Sequence, residues 1–238
     1  MRMTSKPSAT LRALRAAFPR TLPVLTGYLF LGMAFGILLQ SKGYGAAYAG
    51  LMSVVIYAGS MQFVAAGLLA GGFAPLQAGL LALMVNARHL FYGLSMLDRF
   101  KDRGRAKPYL IFALTDETFS LLLSAQPPEG VDPGRFDLCV SLLDQCYWVA
   151  GSVLGALLGE ALAFPTQGIS FVMTALFVVI FLEQWQTRKG RIPALVGVCG
   201  AALCRLIFGS EWFILPTMVL LAATLLAGRK YLEGRASA

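Results

Sequence analysis

Three runs between residues 53 and 119 decide the fold. They read SVVIYAGSMQFVAAGLLAGG at 53–72, LALMVNARHLFYGL at 81–94 and LIFALTDETF at 110–119. Each run is apolar enough for lipid. Each is also interrupted by polar or ionisable groups: Tyr57, Gln62, Asn86, Arg88, the single histidine His89, Tyr92, Asp116 and Glu117. An ionisable side chain at membrane depth costs roughly 3 kcal/mol or more, so such groups pair with one another or line a pathway. The pattern points to transport through a helical membrane protein and away from soluble chemistry.

The composition of the whole chain agrees. Of 238 residues, 57% are hydrophobic and only 13% charged, with a mean hydropathy of +0.68; soluble domains carry roughly 25% charged residues. The net charge is +8, but the basic residues fall in short clusters between apolar runs. That is how juxtamembrane loops meet anionic headgroups, and it argues against nucleic-acid binding. The four cysteines (Cys139, Cys146, Cys199, Cys204) lie inside apolar segments without CxxC spacing. They read as buried free thiols, neither a disulfide framework nor a metal site. With one histidine, no G-x-S-x-G elbow and no phosphate-binding loop, the chain reads as neither an enzyme nor an ATPase, and no cofactor is expected.

The expected fold is all-α, a polytopic integral membrane protein of seven or eight transmembrane helices. Residues 1–20 form a basic cytoplasmic segment holding Arg2, Lys6, Arg12, Arg15 and Arg20, residues 21–228 one transmembrane domain, and residues 229–238 a basic cytoplasmic tail. The first apolar run reads as a retained span, not as a cleaved signal peptide. Spans are expected near 22–39, 48–69, 75–97, 109–125, 136–158, 169–185, 192–208 and 212–227, each close to the ~20 residues that cross a bilayer. Eight crossings put both termini and the basic residues of 186–191 inside. They also put the loop DRFKDRGRAKP at 98–108, with five basic residues, outside. Either the charge rule fails there, or a block within 48–97 is re-entrant and turns near Ala58-Gly59-Ser60. Broken helices are tolerated where they line a cavity.

Two echoes suggest a repeat of halves 21–125 and 136–228. Tyr28-x3-Gly32-x3-Gly36-x-Leu38-Leu39 returns 119 residues later at Tyr147, Gly151, Gly155, Leu157 and Leu158, and His89–Gly93 is echoed at Arg205–Gly209. Duplicated halves are a common transporter plan. Small residues at this spacing also recur simply because they let membrane helices pack closely.

Among the polar groups, Arg88 offers a permanent charge and a fork of donors suited to a carboxylate. His89 can change protonation near neutral pH. Asn86, Arg88, His89 and Tyr92 share about two helical turns, with the 88–92 and 89–92 pairs able to touch. Asp116 and Glu117 are read as lying within one span, where one carboxylate can face a cavity while the other pairs with Arg88. Ser53, Tyr57 and Ser60 are spaced for one helix face, and Gly59 could expose backbone groups if the helix breaks there. In the fifth span Asp137, Ser141 and Asp144 share a face; Asp137 is expected to be solvated near the interface, and Asp144 to be a deeper, secondary candidate.

These motifs resemble those of the AzlC family, the large subunit of bacterial branched-chain amino acid exporters. The resemblance rests on Ile56-Tyr57-Ala58-Gly59-x-x-Gln62-Phe63, Arg88-His89-x-x-Tyr92-Gly93 and Leu114-Thr115-Asp116-Glu117-x-Phe119. Some relatives carry an acid where this chain has Asn86. The resemblance implies proton-driven export of valine, leucine, isoleucine and, in some members, methionine across the bacterial inner membrane. It also implies a small AzlD-type membrane partner. The expected substrate contacts are Arg88, Tyr57, Gly59, Gln62, Asn86 and Tyr92, and the expected proton-coupling groups are His89, Asp116 and Glu117. The same residues would also suit a permease for another solute, or a non-transporting assembly subunit.

Overall fold

The computed structural model describes residues 8–71, 75–162 and 188–228, with isolated positions between 171 and 185. All described elements are helical. The chain divides into two compact units, residues 1–170 and 171–238. In the first unit lie α1 (Ala9–Ser41), α2 (Ala46–Val55), α3 (Gly59–Gly71), α4 (Pro75–Ser95) and α5 (Leu97–Phe100). They are followed by α6 (Lys107–Phe112), α7 (Asp116–Ser124) and α8 (Pro133–Leu162). Among the described residues, three stretches are long and apolar enough to cross a membrane: α1, α8 and Arg191–Gly209.

The axis of the first unit is the α1–α8 pair. Gly32 lies against Gly151 and Ser152, and Gly36 against Gly155 and Ala156, so the helices run parallel with their glycine stripes face to face. These stripes are the two copies of the repeated glycine pattern. Each copy is small because the other occupies the space where a side chain would project. A Cβ on Gly32 would sit 3.0 Å from the Trp148 carbonyl oxygen, and one on Gly151 2.9 Å from those of Tyr28 and Leu29. Close backbone approach of this kind is what small-xxx-small spacing permits.

Two helix pairs fold against this axis as hairpins from opposite ends. In the first, α2 descends and α3 returns. Gln62 Nε2 donates to Ser53 Oγ at 3.1 Å, and the Tyr44 hydroxyl at the start of the hairpin reaches the Leu69 carbonyl at 3.5 Å near its end. The second pair, α6 and α7, opens toward the N-terminal end of α1. There Ala13, Ala17, Met96, Phe100, Leu110, Leu122, Ala125 and Phe136 share one core. The helix α4 carries the chain from one hairpin's open end to the other's. At 21 residues it spans about 31 Å at 1.5 Å per residue.

This arrangement corrects several expectations. The runs 48–69 and 109–125 are not continuous spans: each breaks in the middle, at 56–58 and 113–115. The basic loop after α4 packs at the same end of the unit as the N-terminal part of α1, so the re-entrant alternative removes the conflict with its charge. Residues 9–20 of the basic N-terminal segment and the first apolar run belong to one helix, since α1 continues from Ala9 through Pro19 and Pro23. Cys146 and Cys199 are exposed on apolar helix surfaces, unlike buried Cys139 and Cys204.

Asp137 is also unlike its expectation. It is fully buried and paired with Arg99 at 2.7 Å and Arg103 at 2.9 Å. Arg99 further donates to the carbonyls of Leu122 and Ala125, clamping the end of α7 to the start of α8. The clamp forms because α5 and the following turn fold back over the hairpin's open end, which hydropathy does not register. Removing the acid's charge alone leaves two cations without an anionic partner. Asp137→Asn is expected to destabilise the protein by about 3 kcal/mol or more, read as lower thermal stability in detergent.

In the second unit α9 (Arg188–Trp212) and α10 (Ile214–Ala227) form an antiparallel pair. The turn begins at Gly209, where φ is 75° and the helix is interrupted, which agrees with the boundary expected between spans at 208 and 212. Most of the run 169–185 and all of the tail 229–238 lie outside the described residues.

Candidate functional site

The two hairpin tips meet at mid-depth beside α1, α4 and α8. At the first tip Tyr57 has φ 40°, a left-handed conformation that a bulky residue adopts only where its surroundings enforce it. Its ring is buried and packs on Phe112 of the second tip, with centroids 6.2 Å apart. Tyr57 thus lies in the break between Ser53 on α2 and Ser60 on α3, and the expected common helix face does not exist.

Gly59 opens α3, and its missing side chain has a cause. A Cβ there would lie 3.0 Å from the Trp148 ring. Trp148 Nε1 donates to Gln62 Oε1 at 2.8 Å, and Ser53 Oγ donates to Ser152 Oγ at 2.8 Å. Both ends of the buried Gln62 amide are thus engaged by protein, which places Gln62 in the anchorage of the first hairpin to α8. Trp148→Phe keeps an aromatic ring, though a smaller one, and leaves Gln62 Oε1 without a donor. It is expected to cost ~1–3 kcal/mol, measurable as a lower melting temperature without loss of membrane insertion.

At the second tip Thr115 caps α7, its Oγ1 accepting from the Thr118 amide at 3.2 Å. Asp116 and Glu117 are the first residues of α7, not mid-span positions of a continuous helix. Acids in a first helical turn complement the positive end of the helix dipole. The Tyr28 hydroxyl meets Thr115 Oγ1 at 2.5 Å and donates to Glu117 Oε2 at 2.9 Å. Asp116 points the other way, toward α4.

There Arg88 bridges the two tips. Its Nη2 donates to Ser60 Oγ at 3.0 Å and pairs with Asp116 Oδ2 at 2.9 Å. The Tyr92 hydroxyl donates to Asp116 Oδ1 at 2.5 Å, and the Tyr92 ring stacks on Phe119 at 4.4 Å. The Arg88 and Asp116 side chains are 31% and 32% exposed, so the pair is open on one flank. Arg88 Nε and Asn86 Oδ1 are buried without a hydrogen-bond partner. His89 stays on its own helix, with Nδ1 against the Asn86 carbonyl at 3.1 Å and its ring edge-on to Tyr92.

The structure therefore gathers Arg88, Tyr92, Asp116 and Ser60 around two helix N-termini, with Glu117 and Tyr28 behind them. A helix N-terminus presents unpaired N–H groups and partial positive charge. Two such ends beside a guanidinium suit a carboxylate, and Asp116 suits a cation. Asp144 is not part of this cluster; it lies buried on α8, accepting from Thr118 Oγ1 at 2.8 Å. Tyr28, Thr118 and Trp148 were not expected in the site. Their only sequence signal was position: Tyr28 and Trp148 flank the glycine stripes, and Thr118 follows the acid pair.

Helices broken at mid-depth around a charged pair define a class, that of helical membrane proteins with irregular backbone lining an internal site. The chain belongs to the AzlC family, whose signature, AzlC protein, matches residues 23–162. It is 48% identical to the branched-chain amino acid transport protein AzlC of Bacillus subtilis, over 96% of this chain and 90% of that protein. An uncharacterized membrane protein of Helicobacter pylori is 46% identical over 94% of this chain and 98% of its own length. The inner membrane protein YgaZ of Escherichia coli is 28% identical over 84% and 82%. No solved structure matches.

Proposed function

We propose that the protein is the large subunit of a two-component secondary transporter that exports branched-chain amino acids across the bacterial cytoplasmic membrane, driven by the proton gradient. One observation carries the reading: the Arg88–Asp116 pair, bridging two half-helix N-termini and open on one side. A zwitterion can enter such a pair without leaving a bare charge. Its carboxylate takes the guanidinium and the end of α3, and its ammonium takes Asp116, with Glu117 close behind. Tyr92 and Phe119 supply an aromatic wall for an aliphatic side chain. The relative from Bacillus subtilis, named for branched-chain amino acid transport, supports this substrate class. The basic N-terminal part of α1 and the basic loop after α4 share one end of the unit, which under the positive-inside rule is the cytoplasmic one.

The test is efflux of labelled leucine from preloaded vesicles, with the chain expressed alone and together with its small AzlD-type membrane partner. Efflux that requires both chains and collapses with an uncoupler is the expected result. Leucine movement that is absent under every pairing overturns the substrate assignment.

A further inference from the structure

The charged groups of the first unit differ in how they are satisfied. Asp116 has Arg88 and Tyr92; Asp137 has Arg99 and Arg103; Glu117 has the Tyr28 hydroxyl. Asp144 alone among these four acids is fully buried with no basic partner. Its Oδ2 accepts from Thr118, and its Oδ1 has no hydrogen-bond partner. The buried Tyr57 hydroxyl, which faces Asp144, and Ser141 Oγ, three residues earlier on α8, have none either. Thus bare polar atoms of α8 and of the first hairpin tip gather where the second tip, through Thr118, touches α8.

The titratable groups facing Asp144 are Tyr28 from α1, Tyr57 from the first tip, Tyr109 from α6 and Glu117 from α7. None is a cation, and Glu117 adds a like charge. An ionised carboxylate in such a place pays a desolvation cost that the neutral acid does not. The neutral acid also gains an O–H donor, which the bare Oδ1 lacks.

We propose that Asp144 is the carboxyl that carries the coupling proton, in place of the His89, Asp116 and Glu117 group expected from sequence. The inference rests on the transport reading given above. A proton is the one cation that adds almost no volume to a site whose carboxyl is fully buried. With the proton on, the carboxyl is neutral and both hairpin tips close on α8. The proton leaves to water from the side that opens, and the resulting carboxylate requires hydration that only separation of the tips admits. Protonation and opening are thereby linked through Thr118 on one tip and Tyr57 on the other.

The test uses the full chain, with its small partner where leucine movement requires it, in proteoliposomes. Asp144→Asn keeps the acceptor for Thr118 and fixes the neutral form. It is expected to hold the tips closed and so lose gradient-driven leucine accumulation and its pH dependence, while thermal stability in detergent is retained. Gradient-driven accumulation with the unaltered pH profile overturns the proposal. Infrared pH-difference spectra of the purified full chain give a readout that needs no substrate. A protonated carboxylic acid band is expected that disappears in Asp144→Asn and stays in Glu160→Gln, an exposed acid on the same helix. A band that survives Asp144→Asn sinks the assignment. A band lost in Asp144→Asn from a protein that moves no leucine keeps the protonation site and removes the transport reading.

Discussion

Arg88→Gln is expected to lower leucine efflux at least about 100-fold, the scale of ~2.7 kcal/mol lost at a charge-assisted contact, while the protein still inserts. The glutamine retains length and a donor, but it cannot present a charged fork to a carboxylate. Arg88 also neutralises Asp116 at 2.9 Å, so loss of activity in the single variant has two explanations. The double variant Arg88→Gln with Asp116→Asn separates them. If Arg88 only neutralises Asp116, removing both charges restores efflux. If the pair receives the two ends of a zwitterion, the double variant stays inactive. Normal efflux by Arg88→Gln removes Arg88 from the mechanism altogether.

The second large effect concerns the α1–α8 axis. Gly36→Ala is expected to destabilise the fold severely, although in an exposed helix interior the same change is favourable by roughly 0.5–1 kcal/mol. The new methyl would collide with backbone atoms, the Ser152 carbonyl oxygen and the Ala156 amide nitrogen. Backbone cannot rotate out of the way as a side chain can, so the helices must separate along their length. Overpacking a tight core typically costs ~1–3 kcal/mol and sometimes more. Gly27→Ala is the control in the same helix, because nothing lies within 4 Å of its Cβ position. Thermal unfolding of detergent-purified protein should drop sharply for Gly36→Ala and not for Gly27→Ala. Equal behaviour of the two would mean that α1 and α8 do not pack through these stripes.

The same stripes show what a sequence can and cannot express. The spacing Tyr28-Gly32-Gly36 and its return at Tyr147-Gly151-Gly155 were visible, as was the reason membrane helices favour small residues at that interval. That the two copies pack on each other, in parallel, is a relation between distant segments. Asp137 makes the same point. Its position near the start of a span suggests solvation, yet Arg99 and Arg103 reach it because the chain folds back over the hairpin end.

Sequence alone determined the solvent and the helical class, and it left the Arg88–Asp116 pairing and a break near Gly59 each as one of two options. These follow from local facts: burial in lipid requires every backbone group to bond within its own segment, and a charge in an apolar run demands a partner. Only the tertiary structure decided that two runs turn back at mid-depth and that Gln62 is held by Trp148 and Ser53. It also decided that Asp116 begins a half-helix and that Asp144 is the acid left without a cation. Hydropathy sums residues along a line, and a run that turns back has the same sum as one that crosses. Which side chains share a site depends on where the chain reverses, and the reversals here are set by packing against α1 and α8.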